Sequence, residues 1–143
     1  MLAVTRHRVP PEEGAAFLDS ARTALAVLAA RPGFRRGTVG RATDDPALWA
    51  LTTEWESVGA YRRALSAYEV KVSAVPVLAT AIDEPTAYEV LLSHDDDGGT
   101  EGTTRLAADA GSVGIGSASA PGVAVDLPPA RGDGVFGQGP AER

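Results

Sequence analysis

A chain of 143 residues is long enough for one domain with a substantial core, and without cysteine it has no route to disulfides, thiol catalysis or cysteine-ligated metal. Its 19 acidic against 13 basic residues argue against a nucleic-acid backbone binder, which needs clustered Lys and Arg. No segment approaches the roughly twenty apolar residues of a membrane span, and the start MLAVTRHRVPPEEG is not built like a secretory signal, so a cytoplasmic protein without membrane partners is the expectation.

Residues 2–9 (LAVTRHRV) read as a first strand, with Leu2, Val4, Arg6 and Arg8 on one face and Ala3, Thr5, His7 and Val9 on the other. Pro10 and Pro11 stop the ladder. Pro11 also suits the first turn of a helix, whose positive end Glu12 and Glu13 complement. That helix is expected to run to about Ala30, with Phe17, Leu18, Ala21, Leu25 and Leu28 as its core face. Pro32 and Gly33 end it. Residues 35–42 (RRGTVGRA) form a second strand whose Gly37 and Gly40 suggest a bulge or a close approach.

The turn TDDP, residues 43–46, leads into a third strand, LWALTTEW, so strands two and three are expected to pair as an antiparallel hairpin. Trp49, Leu51, Thr53 and Trp55 share one of its faces. Ser57 stands where a helix N-cap belongs, and Val58, Tyr61 and Leu65 follow at helical spacing. Trp55 and Tyr61 then face a common space between sheet and helix, as core aromatics or as the wall of a ligand pocket. The helical segment that follows is interrupted at Pro76 and is expected to bend or restart near Ser73. Thr86 to Leu92 makes a fourth strand.

The order βαββαβ is a ferredoxin-like α+β fold, a four-stranded antiparallel sheet with helices on one face. Its other face is left bare, and a second copy of the chain is the expected cover, giving a homodimer. The domain is expected to span residues 1–93. Residues 94–143, with an acidic run and frequent Gly, Ser, Ala and Pro, read as a tail that is disordered or ordered by a partner, carrying two weakly apolar spots, GSVGIGS and GVAVDLP.

The segment from Met1 to about Leu92 resembles the antibiotic biosynthesis monooxygenase family. RPGF at Arg31–Phe34, WESVGAY at Trp55–Tyr61 and the element order carry the likeness. It implies a dimeric α+β barrel. It also implies, as in some family members, a monooxygenase that needs no cofactor, neither metal nor flavin. An aromatic or quinonoid small molecule such as an anthrone loses a proton, and its anion reacts directly with oxygen to give a quinone. Such chemistry requires a pocket that excludes water, a proton acceptor, and donors for the developing oxyanion. The resemblance makes Trp55 and Tyr61 cavity-lining residues, with the Tyr61 hydroxyl a donor to a substrate oxygen. The tail spot GSVGIGS also faintly resembles the terminal peptides that load enzymes into encapsulin shells.

Departures from the family pattern point the other way. The positions of its usual second-helix histidines read Ala64 and Glu69, and the approximate counterparts of the haem-degrading branch's residues are Thr5, Ala64 and Ser73. With only His7 and His94 present, a histidine-ligated metal is not expected. His7 is the one side chain near Thr5 whose ordinary pKa suits proton abstraction near neutrality. Glu54 and Tyr68 are alternative bases. The catalytic candidates are His7 and Tyr61, and the substrate-binding candidates are Trp55, Tyr61, Thr5 and Tyr68. A second function class remains open, a non-catalytic dimeric binding or accessory protein that kept the fold without the chemistry.

Overall fold

A computed structural model describes residues 1–102 of the chain. The strand β1 (Leu2–Arg8) is followed by a single 3-10 turn at Pro11–Glu13 and by helix α1 (Gly14–Ala29). Next come β2 (Phe34–Arg41), β3 (Leu48–Trp55), and three short helices, α2 (Val58–Ser66), α3 (Tyr68–Ser73) and α4 (Val75–Leu78). Then follow β4 (Ala87–Tyr88) and a separate hairpin of β5 (Leu92–Asp95) and β6 (Gly98–Glu101). The main sheet has the order β2-β3-β1-β4, all antiparallel. The expected α+β, ferredoxin-like arrangement is therefore present.

Strand alternation divides the sheet cleanly. Ala3, Thr5 and His7 of β1 and Trp49, Leu51, Thr53 and Trp55 of β3 are all buried, and they meet the helices. Their register pairs His7 with Trp49, Thr5 with Leu51 and Ala3 with Thr53. The intervening residues Leu2, Val4, Leu48, Ala50 and Thr52 lie on the opposite, uncovered face and are only half-buried.

From α1 the core takes Ala21, Ala24 and Leu28. Leu18, expected in that stripe, is 37% exposed, because one step past Phe17 is about 100° around a helix and turns the side chain off the core face. The alanines let the helix come close to the sheet. At Gly37 a Cβ would stand 2.3 Å from Leu25 Cδ1, so the first of the two strand glycines does mark a close approach, whereas Gly40 faces open space.

The two sequence motifs, RPGF and WESVGAY, meet in space. Gly33 has φ of +87°, and a Cβ there would be 2.5 Å from Ala60 Cβ, so the turn accepts only glycine. Its carbonyl accepts a hydrogen bond from the Glu56 N–H at 2.8 Å, and Phe34 stacks edge-on against Trp55 at 5.3 Å. Ser57 caps α2 by accepting from the Ala60 N–H at 3.1 Å, as its position suggested.

The later helices break twice. The restart expected near Ser73 is there, between α3 and α4, but a further break falls at Ala67, which is extended with ψ of 141°. The fourth strand is shorter than the alternation of residues 86–92 promised. Only Ala87 and Tyr88 pair with β1, opposite Ala3 and Leu2, while the Thr86 carbonyl accepts from Val4 N–H at 2.7 Å. Residues 92–101 instead pair with one another across the turn at Asp96 and Asp97, where Gly98 takes φ of +127°. The boundary expected at residues 93–94 thus falls inside β5. GSVGIGS and GVAVDLP lie outside the described residues.

Candidate functional site

The helix-covered face of the sheet carries two separate aromatic clusters, one at each end of β3. Trp55 belongs to the first. Its ring lies between Phe34 and Tyr61, with centroids 5.3 and 5.5 Å away, and its indole N–H donates to Thr53 Oγ1 at 2.8 Å. Trp55 and Tyr61 are each 1% exposed. Burial pushes the Tyr61 hydroxyl up to about 12, so it stays protonated across the working range of any enzyme. The pair does face a common space between sheet and helix, where its rings and that of Phe34 pack against one another.

The second cluster surrounds His7. Residue 49 is six positions from residue 55, about 20 Å along an extended strand, so the two clusters are different places. His7 is 1% exposed, and its ring packs against Phe17 at 5.1 Å, which in turn meets Trp49 edge-on at 5.4 Å. His7 Nε2 is 2.9 Å from Thr5 Oγ1, and Nδ1 is 3.0 Å from Thr80 Oγ1. The alternation puts His7 and Thr5 on one face, and that face meets the helices.

The network assigns the imidazole tautomer. Thr80 donates its own proton to the Val77 carbonyl at 2.8 Å, so its oxygen faces His7 as an acceptor and the ring carries its proton on Nδ1. Nε2 is then the free base, accepting from Thr5. The competing bond from Thr5 to the Leu51 carbonyl is long, 3.4 Å, and easily given up. Burial lowers the His7 pKa below its ordinary value, so the neutral, basic ring dominates at pH 7.

One polar atom here has no partner. Trp49 is 7% exposed, its indole Nε1 is buried, and nothing among the described residues accepts its hydrogen. Gly14, at the start of α1, lies close against it, since a Cβ there would touch the indole Cζ2 at 3.4 Å. Arg41 covers one ring face with its guanidinium carbon 5.5 Å from the centroid.

The remaining candidates stand apart from this cluster. Tyr68 opens α3 and is 77% exposed, and Glu54 pairs in register with Leu2 and is exposed, pointing away from the helices. Among the described residues no group of three or more His, Asp or Glu side chains is gathered as a metal site, and no helix is long and apolar enough to cross a membrane.

Residues 1–73 match the family model for antibiotic biosynthesis monooxygenase. The chain belongs to this family. No curated protein matches it by sequence. Among solved structures, a candidate antibiotic biosynthesis monooxygenase from Nitrosomonas europaea is 17% identical with a TM-score of 0.51, covering 63% of this chain and 97% of that one. A conserved protein from Methanosarcina mazei Go1 is 19% identical with a TM-score of 0.50, covering 60% and 84%. A mutant form of SnoaB, a cofactor-independent oxygenase from Streptomyces nogalater, is 31% identical with a TM-score of 0.46, covering 57% and 82%. The first two likenesses carry the fold.

Within this member of the monooxygenase family, the matched region holds His7, Thr5, Phe17 and Trp49 but stops short of Thr80. Three residues of the His7 cluster escaped the sequence reading: Phe17 and Trp49 as members of a site, and Thr80 altogether. The signal for Trp49 existed, because the hairpin and the alternation together place it beside His7 once β1 is paired with β3. Thr80 gives no signal, since it reaches His7 only through the chain reversal after α4.

Proposed function

We propose that the protein is a cofactor-independent monooxygenase of the antibiotic biosynthesis family that oxidises an electron-rich aromatic or quinonoid small molecule, with His7 as its base. The observation that carries this reading is the buried, neutral imidazole held by two threonine hydroxyls that can serve both of its protonation states. In the resting state Thr5 donates to Nε2. As an activated ring CH₂ gives its proton to Thr5 Oγ1, Thr5 passes its own proton to Nε2 and its oxygen then accepts the new N–H, while its hydroxyl can turn to the Leu51 carbonyl and Thr80 keeps accepting from Nδ1. The base is thus ready for the imidazolium it must become.

The substrate is the reductant and dioxygen the oxidant. Loss of the first proton through Thr5 to His7 leaves a delocalised anion, which passes an electron to O₂, and the two radicals combine to form a C–O bond. The resulting peroxide anion takes the proton back from His7; the hydroperoxide then loses its O–O bond as the second C–H proton passes to the departing hydroxide, which leaves as water, and a carbonyl is left. In sum one CH₂ and one O₂ give one C=O and one H₂O. The low dielectric among Phe17, Trp49 and His7 raises the value of each fixed dipole during charge development.

The test is oxygen uptake by the metal-stripped protein with anthrone, 1,8-dihydroxyanthrone and substituted hydroquinones. His7→Gln is expected to lower turnover by about 10²- to 10⁴-fold, the usual contribution of a general base. Because only neutral His7 can act, kcat/KM should rise with pH through a value below 6.5 and stay flat above it. No uptake with any of these compounds rejects the proposal in favour of a binding protein of this fold, and a His7→Gln variant as active as the parent rejects His7 as the base.

A further inference from the structure

We propose that the Trp49 indole N–H anchors a carbonyl or enolate oxygen of the ligand, so that the reacting ring lies among Trp49, His7 and Phe17 rather than beside Trp55. This deepens the monooxygenase reading and rests on it for the nature of the ligand. The two tryptophans of the chain differ in one respect that decides between them. The Trp55 N–H is already bonded to Thr53 at 2.8 Å, whereas the Trp49 N–H is buried and finds no acceptor among the described residues. A buried donor without a partner is destabilising by about 1–3 kcal/mol and is rare in folded proteins. It is tolerated where a partner arrives with the ligand.

The neighbours of Trp49 fit an oxygen acceptor. His7 is its direct cross-strand partner, which sets their Cβ atoms about 5 Å apart, so a ring held by its oxygen at Trp49 presents adjacent carbon to Thr5 and the imidazole. Arg41, also paired with Trp49 across the β2–β3 hairpin, holds a positive charge over the indole and favours an oxygen that becomes negative as the proton leaves. Phe17 is half-buried, tilted against His7 and edge-on to Trp49, an apolar side chain for an aromatic ligand to meet. The walls that can move to admit the ligand are this phenyl ring and the exposed Arg41 side chain.

The experiment follows the two indole N–H signals of the ¹⁵N-labelled full chain during titration, assigned with Trp49→Phe or, if that variant does not fold, with Trp55→Phe. The probes are anthrone, anthraquinone and 9,10-dihydroanthracene, the last having the same ring skeleton without oxygen. The expected result is a downfield shift of the Trp49 signal with anthrone and anthraquinone and none with dihydroanthracene, the Trp55 signal staying in place. Trp49→Phe should weaken anthrone binding by about tenfold while leaving dihydroanthracene affinity as it was. A shift at Trp55 instead, an equal effect of dihydroanthracene, or no Trp49 shift with either oxygen-bearing probe up to its solubility limit would overturn the assignment. A Trp49 shift without oxygen uptake would retain the anchor and reject the monooxygenase. Uptake that survives Trp49→Phe unchanged would do the reverse.

Discussion

His7 is the residue at which stability and chemistry are joined. Its folded pKa is lowered by burial, while in the unfolded chain it returns to about 6.5. Between those values the unfolded chain binds more protons than the folded one, so stability is full above about pH 6.5 and falls as the pH drops below it. Thermal unfolding at pH 8 and pH 5 should therefore show a larger loss for the parent chain than for His7→Gln, which has nothing to titrate at that position. Equal losses would mean that the ring is not held neutral. Gly33 poses a backbone question at the same scale. Gly33→Ala meets both an unfavourable φ of +87° and the Ala60 methyl at 2.5 Å, and it should cost at least about 2 kcal/mol in urea unfolding.

Among the elements, α2 depends most visibly on one side chain. Ser57→Ala removes the acceptor for the Ala60 N–H and should cost about 1 kcal/mol, read as a lower urea midpoint at unchanged slope, while Ser57→Asp should cost little. This cap was legible because N-caps are local, set by a hydroxyl and the residues just after it. The strands β1 and β3 were legible for a similar reason, since alternation over seven or eight residues fixes which side chains share a face. The reading failed where tertiary pairing decides. Residues 86–92 alternate like a strand, yet β1 offers a partner only to Ala87 and Tyr88, and Leu92 is drawn into the local Asp-Gly hairpin instead. The site suffered from the same blindness. Motif likeness pointed to Trp55 and Tyr61 and strand alternation to His7 and Thr5, while Phe17, Trp49 and Thr80 join His7 from α1, β3 and the segment after α4, parts that no local pattern connects.

For the whole molecule, the unresolved asymmetry is the sheet itself. Helices cover one face, and none of Leu2, Val4, Leu48 or Ala50 on the other face is among the fully buried hydrophobic residues. That face presents half-buried Leu2, Val4, Leu48 and Ala50 beside Thr52 and the exposed Thr38, with Arg6, Arg8 and Glu54 paired in register against Ala50, Leu48 and Leu2, a mixed surface of apolar and charged side chains. We propose a second copy of the chain as its cover, in a two-fold pair that sets the charges of one face against the opposite charges of the other. A stable pair needs about 800 Å² from each partner, an area that a four-stranded sheet of this length can supply. The expected outcome is a dimer in sedimentation at micromolar concentration. Val4→Lys should dissociate it without unfolding the domain, because the lysine lands at the centre of the patch on a strand whose other face still holds Ala3, Thr5 and His7. The helix-covered His7 cluster lies on the opposite side of β1, so the monomeric variant should still bind anthrone. A parent chain that sediments as a monomer, or a Val4→Lys variant that remains a dimer, would put the interface elsewhere.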